Sequence, residues 1–272
     1  MTEYAGTGDA RRSLELLWGR GVGPSRGPKP GIDAGTIART AIELADEEGL
    51  GALSMRKVGE RLGRSAMSLY TYVPGKAELI DLMLDTVLGE LTGARPPAAD
   101  LRAALEASAR RGWEFYQRHP WVLQISGSRP ALGPNELDLY ESELALVDGL
   151  GLTGVDVTRV VAVVSGYVRG AAKATSDARA AAQATGLSDD DWWNARAPLL
   201  DEMVTPSWEE RYPVSTRLSQ EHAFDQLDRP DDTTPYTVQD ALDTFEFGLQ
   251  RLLDGIEVHI ERQRDITRGR HP

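Results

Sequence analysis

The sequence predicts an all-α protein, and three observations carry that prediction. Apolar residues recur with helical period along most of the 272 residues, no segment alternates convincingly with the period of two that a half-buried strand needs, and the runs are bracketed by capping residues, glycine or proline. The pattern divides into a small N-terminal domain of three helices and a larger helical domain behind it.

The elements follow in order. Arg12 to Trp18 (RRSLELLW) favours a short helix, and 19–31 (GRGVGPSRGPKPG) is too rich in Gly and Pro for any regular element. Residues 1–32 therefore read as a basic, flexible N-terminal arm. Asp33 is a fitting N-cap for a first domain helix that places Ile37, Ala41, Ile42, Leu44 and Ala45 on one face and stops at Gly49. Ser54 caps a second, with Met55, Val58 and Leu62 apolar, which Gly63 ends. Ser65 caps a third, Ala66 to Val73, too short to persist alone in water, so Leu69 and Val73 must be packed. Pro74-Gly75 stops it. From Lys76 a fourth helix sets Ile80, Met83, Leu84, Val87, Leu88 and Leu91 in one stripe. Arg95-Pro96-Pro97 is the best break, giving domains at 33–94 and 95–272. Beyond it, helices are expected near 100–118, 120–127, 135–150, 155–183, 189–204, 207–222 and 237–264, with a mobile acidic loop at 225–236 and no internal repeat.

Composition excludes several function classes. No window approaches the roughly 18 apolar residues of a membrane helix. The N-terminus carries acids and lacks the apolar core of a signal peptide, and the absence of cysteine removes disulfide and thiolate chemistry, so a cytoplasmic place is expected. The four histidines are scattered, and no G-x-S-x-G, P-loop or H-E-x-x-H constellation is present, which leaves catalysis nothing to rest on. Neither an enzyme, nor a metal site, nor a cofactor is expected.

A net charge of −12 argues at first against nucleic acid, but the average conceals a split. Residues 1–76 hold 11 Lys/Arg against 9 Asp/Glu, while 77–272 hold 19 against 33. Positive charge is densest at 53–76, where Arg56, Lys57, Arg61, Arg64 and Lys76 face Glu60 alone. Two short helices joined by a Gly-containing turn form the helix-turn-helix arrangement of a DNA-binding domain: 54–62 lies across the backbone while 65–72 enters the major groove. Leu62, Leu69 and Val73 would fix the interhelical angle, leaving Ser65, Ala66, Met67, Ser68, Thr71 and Tyr72 for the groove. Ser68 and Thr71 hydroxyls suit base edges or phosphates, and Met67 suits a thymine methyl. In the arm, Arg26 and Lys29 immediately precede the first domain helix and could enter the adjacent minor groove; the competing reading is a tail whose charge merely aids solubility.

The run LSMRKVGERLGRSAMSLYTYVPGKAELIDLM (53–83) resembles the DNA-binding domain of the TetR family of transcriptional regulators, through Arg56, Leu62-Gly63, Leu69-Tyr70, Tyr72 and Lys76. That resemblance implies that Tyr70, Tyr72 and Lys76 contact phosphates, that Arg56 reaches a base or phosphate, and that 65–68 and 71 read bases. Ala66-Met67 departs from the Gln-Pro of the tetracycline repressor itself, so its operator cannot be borrowed. The remainder is similar, more loosely, to the tetracycline-repressor-type C-terminal class, with His-Pro-Trp at 119–121 and Gly-Tyr-Val-Arg-Gly at 166–170 as in actinobacterial members. It implies a ligand-binding and dimerisation domain: a homodimer built on helices 155–183 and 237–264, a double-stranded operator, release by a small-molecule effector, and no membrane partner. Trp113, Tyr116, His119, Trp121 and Tyr167 are the pocket candidates, since aromatic walls line most small-molecule sites; core packing is the alternative. Trp192-Trp193 beside Asp189-Asp190-Asp191 reads equally as a lid or a surface patch.

Overall fold

The structure is a computed structural model that describes residues 2–20, 32–92, 100–204, 207–223 and 234–268. The described elements run β1 (Glu3–Tyr4), α1 (Ala10–Leu17), α2 (Ala34–Glu48), α3 (Met55–Arg61), α4 (Ala66–Leu69), α5 (Lys76–Leu88), α6 (Leu101–Arg118), β2 (Ile125–Ser126), α7 (Pro134–Val147), α8 (Gly154–Thr185), α9 (Asp189–Met203), α10 (Ser207–Arg211), α11 (Pro213–Gln220) and α12 (Tyr236–Arg268). The chain divides into two compact units, Met1–Arg169 with Leu252–Pro272, and Gly170–Arg251.

The first unit is organised around one buried cluster. Ile37 and Leu44 of α2, Val58 of α3, Leu69 of α4 and Leu79 and Met83 of α5 share it with Phe115 of α6 and with Trp121. The cluster thus joins residues on both sides of the composition break at 95–97, which itself lies outside the described residues. A polar knot fastens the same seam. Asp46 of α2 accepts from the Trp121 indole at 2.7 Å and meets His119 Nδ1 at 2.8 Å, while His119 Nε2 lies 3.1 Å from Glu90. Because His119 and Trp121 are buried, each polar atom there needs such a partner.

Several elements depart from the expected bounds for identifiable reasons. The third domain helix ends at Leu69 and not at Val73; past it the N–H groups of Tyr72 and Val73 both donate to the Leu69 carbonyl at 2.9 Å, and Pro74 keeps the helix from resuming. The helix expected at 120–127 is a shorter 3-10 helix, Pro120–Gln124, that leads into β2. The 207–222 helix is broken into α10 and α11 where Tyr212 precedes Pro213. The largest departure is at the N-terminus: the short helix expected at Arg12–Trp18 is present as α1, but residues 2–20, expected within a flexible arm, also form β1, bury Ala5 and Leu17, and pack on α5. The remainder of that arm and the acidic loop lie largely outside the described residues.

In the second unit, Ser188 caps α9 by accepting the Asp191 N–H at 3.0 Å, and Asp189 accepts from both the N–H and the hydroxyl of Thr237 at the start of α12. Yet α9 buries no side chain. No helix among the described residues is long and apolar enough to cross a membrane.

Candidate nucleic-acid interface and ligand pocket

The reading head is built from two capped helices held at close range. Ser54 Oγ accepts the Lys57 N–H at 3.2 Å, and Ser65 Oγ accepts the Ser68 N–H at 3.3 Å, each satisfying an otherwise orphaned donor of a helix's first turn. Between them Gly63 takes φ +64°, a left-handed conformation that costs side-chain-bearing residues about 1–2 kcal/mol. Gly59 supplies the close approach: a Cβ there would stand 2.7 Å from the Arg64 carbonyl oxygen. Val58, Leu69 and Val73 are fully buried beneath the turn. Four residues of α4 could not hold a helix alone, so its orientation is imposed by this packing.

The face left over carries most of the expected contacts. Met67 is 76% exposed and Tyr70 44%, and Ser65 and Thr71 are also exposed. Ala66, Ser68 and Tyr72 are half-buried; Ala66 and Tyr72 lean on the core, so each offers an edge rather than a whole side chain. Ser68 Oγ donates to the Ser65 carbonyl at 2.7 Å, leaving the hydroxyl oxygen available as an acceptor. Three of the basic residues are held by acids: Arg56 by Glu60 at 2.5 Å, Lys57 by Glu48 at 2.7 Å and Arg61 by Glu47 at 2.5 Å. Lys76 Nζ, opening α5, stands 3.6 Å from Glu3 of β1. Exposed pairs of this kind contribute little to stability, so a phosphate can displace the carboxylate at small cost. Arg26 and Lys29 lie outside the described residues.

α5 joins this head to a pocket. Its first half packs Leu79, Ile80 and Met83 into the core, and its last turn, with Leu88, lines a cavity of about 260 Å³ walled by α6, α7 and α8 within the first unit. The walls are mostly apolar, with Ala109, Leu139, Val161, Val164 and Val168, and polar atoms enter from Ser108, Arg111, Glu136, Tyr140, Glu143 and Ser165. A second hollow shares Leu88, Tyr116, Glu136 and Ser165 with it and extends to Ile125, Ser126 and Arg169. Arg169 is occupied there. Its guanidinium donates to the carbonyls of Val122, Leu123 and Ile125 and lies 5.6 Å from the centre of the Tyr116 ring, fixing one wall. Burial, and then the nearby Asp85 charge, push the Glu136 carboxyl above its ordinary range, while the Leu132 and Ala131 N–H groups pull the other way.

Of the five aromatic and histidine candidates, Tyr116 lines this cavity. Trp121 and His119 are instead buried in the seam with Asp46, where the bulk of the indole serves packing. Trp113 and Tyr167 are half-buried and line neither hollow. Arg111, Glu136, Tyr140 and Glu143 were not foreseen, since the cavity exists only where four segments far apart in sequence cross. One signal was available: Ser108, Ala109 and Gly112 put small residues on one face of α6, which leaves space opposite a facing helix. Among the described residues no cluster of His, Cys, Asp or Glu could hold a metal ion.

Comparison with known proteins agrees with this geometry. Residues 37–83 match the tetR family of bacterial regulatory proteins, and residues 94–260 match the tetracyclin repressor-like C-terminal domain. The chain is 43% identical over 268 residues to the HTH-type transcriptional repressor DrrR1 of Streptomyces coeruleorubidus, covering 97% of this chain and 91% of that protein. Among solved structures it resembles ActR of Streptomyces coelicolor in complex with actinorhodin, with a TM-score of 0.65 at 24% identity over 84% of this chain and 97% of that one. It also resembles a TetR variant from Acinetobacter baumannii AYE in complex with minocycline, with a TM-score of 0.53 at 20% identity over 83% of this chain and 97% of that one. These two likenesses concern the fold. Two matched regions that together span most of the chain, and a close full-length relative, place it in the TetR family, whose members are DNA-binding transcriptional regulators and not enzymes.

Proposed function

We propose that this chain is a repressor that binds a palindromic operator as a homodimer and is released by a small molecule held in the cavity beside α5. The observation that carries the reading is the position of α5, whose opening residue Lys76 belongs to the reading head and whose last turn lines the cavity. At 13 residues and about 1.5 Å of rise per residue, α5 is a rod of about 20 Å between the two. A ligand that displaces Leu88 displaces α4 with it.

On this reading Met67, Ser65, Ser68 and Thr71 meet base edges, Tyr70, Tyr72 and Lys76 meet phosphates, and α8 and α12 form the contact between copies. Two heads in successive major grooves would stand about 34–36 Å apart. The ligand must bind the released form more tightly, with a coupling of about 1–3 kcal/mol. Cytoplasmic residence follows from the same reading. The ligand class suited to the cavity is a largely apolar molecule with several hydrogen-bonding groups, which agrees with actinorhodin and minocycline in the two fold relatives.

Selecting duplexes from a random library with the full chain, then titrating the winner against salt, tests the proposal. A palindrome and a steep fall of affinity with salt are expected, because phosphate contacts release counterions. A log-log slope near zero, or binding as a single copy, would overturn it.

A further inference from the structure

Residues 2–20 precede both matched family regions, and the function above leaves them unused. They are nonetheless built into the molecule at two ends. Toward the head, the Gly6 N–H donates to Asp81 Oδ1 at 2.8 Å, the Asp9 N–H donates to Glu78 Oε1 at 3.2 Å, and Glu3 stands 3.6 Å from Lys76. Glu78 and Asp81 are buried on α5, a costly place for carboxylates, and these main-chain donors are what they meet there. Toward the cavity, β1 pairs in parallel with β2, Glu3 opposite Ile125 and Tyr4 opposite Ser126, and the Trp18 indole donates to the Leu132 carbonyl at 3.0 Å. Ile125 and Ser126 line the hollow next to Tyr116, and the Leu132 N–H is held by Glu136 at 2.7 Å.

We propose that residues 3–18 are a positioning strap that couples the ligand cavity to the DNA-reading head, in parallel with α5. The proposal rests on the reading of the cavity as the effector site and of Lys76 as a phosphate contact. A ligand that pushes Ile125 and Ser126 outward must break the β1–β2 pairing or draw β1 along with it. Drawing β1 shifts Glu3 against Lys76 and pulls Gly6 against Asp81, so the first turns of α5 feel the cavity through a second connection. The strap thereby decides how much of the cavity's movement reaches the head.

Coupling between two sites is reciprocal, so DNA can report it while the effector is unidentified. The probe is the duplex selected from the random library, and the readout is hydrogen exchange of the full chain with and without it. In the unaltered chain, saturating duplex is expected to change exchange at 122–133, far from the reading head in sequence, by about fivefold. Gly6→Pro removes the N–H given to Asp81 and, because proline cannot take the φ of +67° that Gly6 holds, also unseats the turn between β1 and α1; it should bind the duplex while losing most of that response. A chain lacking residues 2–19 should behave alike, and Gly6→Pro decides the matter if the shortened chain does not fold. A complementary lock is open because the sequence has no cysteine: Tyr4→Cys with Ser126→Cys, once oxidised, should preserve the response. The strap is refuted if Gly6→Pro responds like the unaltered chain, or if the duplex binds and 122–133 does not respond. If no duplex binds at all, the DNA reading itself has failed, and the strap falls with it.

Discussion

The helix-turn-helix and α9 are opposite cases of helix formation in one chain. α4 has four residues, yet it is anchored by Leu69 with no exposure at all; α9 has 15 residues, a serine cap and no buried side chain. On α9, Trp192, Trp193, Leu199, Leu200 and Met203 stay exposed, and Pro198 interrupts its hydrogen-bond ladder. Length and capping make a helix locally, whereas rigidity comes from burial. The element expected to read a base sequence has the second property, which a recognition surface needs more than the first.

The comparison can be broken most sharply by cutting one leucine from each helix. Leu69→Ala leaves a cavity in a closed core and is expected to cost about 2–5 kcal/mol, with loss of DNA binding, in urea unfolding and duplex titration. Leu200→Ala on α9 should cost about 0.5 kcal/mol or less. An equal cost at both sites would mean that the apolar residues of α9 are buried in an assembly. Next in size is Gly59→Ala, which drives a methyl toward the Arg64 carbonyl and should cost about 1–3 kcal/mol in the melting curve, with weaker binding to every duplex tested. The two caps refine the contrast. Ser65→Ala is expected to lose about 1 kcal/mol and to alter duplex preference, while Ser188→Ala, with the same hydrogen bond at the head of α9, should leave duplex preference untouched.

The smallest effect concerns pH. Burial, assisted by the neighbouring Glu78 charge, raises the Asp81 carboxyl above its ordinary value, against the pull of the Gly6 N–H. The folded chain therefore holds that proton more tightly than the unfolded chain does. The ionisation cost is absent below the ordinary carboxylate range, grows as pH rises through the raised value, and is fully present at neutral pH. Asp81→Asn should accordingly raise the melting temperature at about pH 8 and lose that advantage toward about pH 4. A pH-independent shift would place its cause in packing instead.

How much was legible follows from the same physics. Ser54, Gly63, Ser65 and Pro74 act on their immediate neighbours, so the head's helices and its exposed Met67 and Tyr70 could be read from the sequence, as could the long amphipathic run of α12. Trp113, His119 and Trp121 were read as pocket lining because aromatic content alone does not distinguish a wall from a core. The N-terminal residues were read as an arm because their fastening depends on Glu78, Asp81, Ile125 and Leu132, far along the chain.

The sequence by itself determined the all-α class and the capped turn between α3 and α4, since local backbone preference and helical period suffice for these, and the residue run 53–83 carried the resemblance to a family of DNA-binding regulators. Tertiary structure alone decided that α2 shares a core with Phe115 and Trp121, that the cavity falls to Tyr116 and Glu136, and that residues 2–20 are fastened to both α5 and β2. Each of these joins segments whose encounter depends on how whole helices cross, and no local pattern records that crossing.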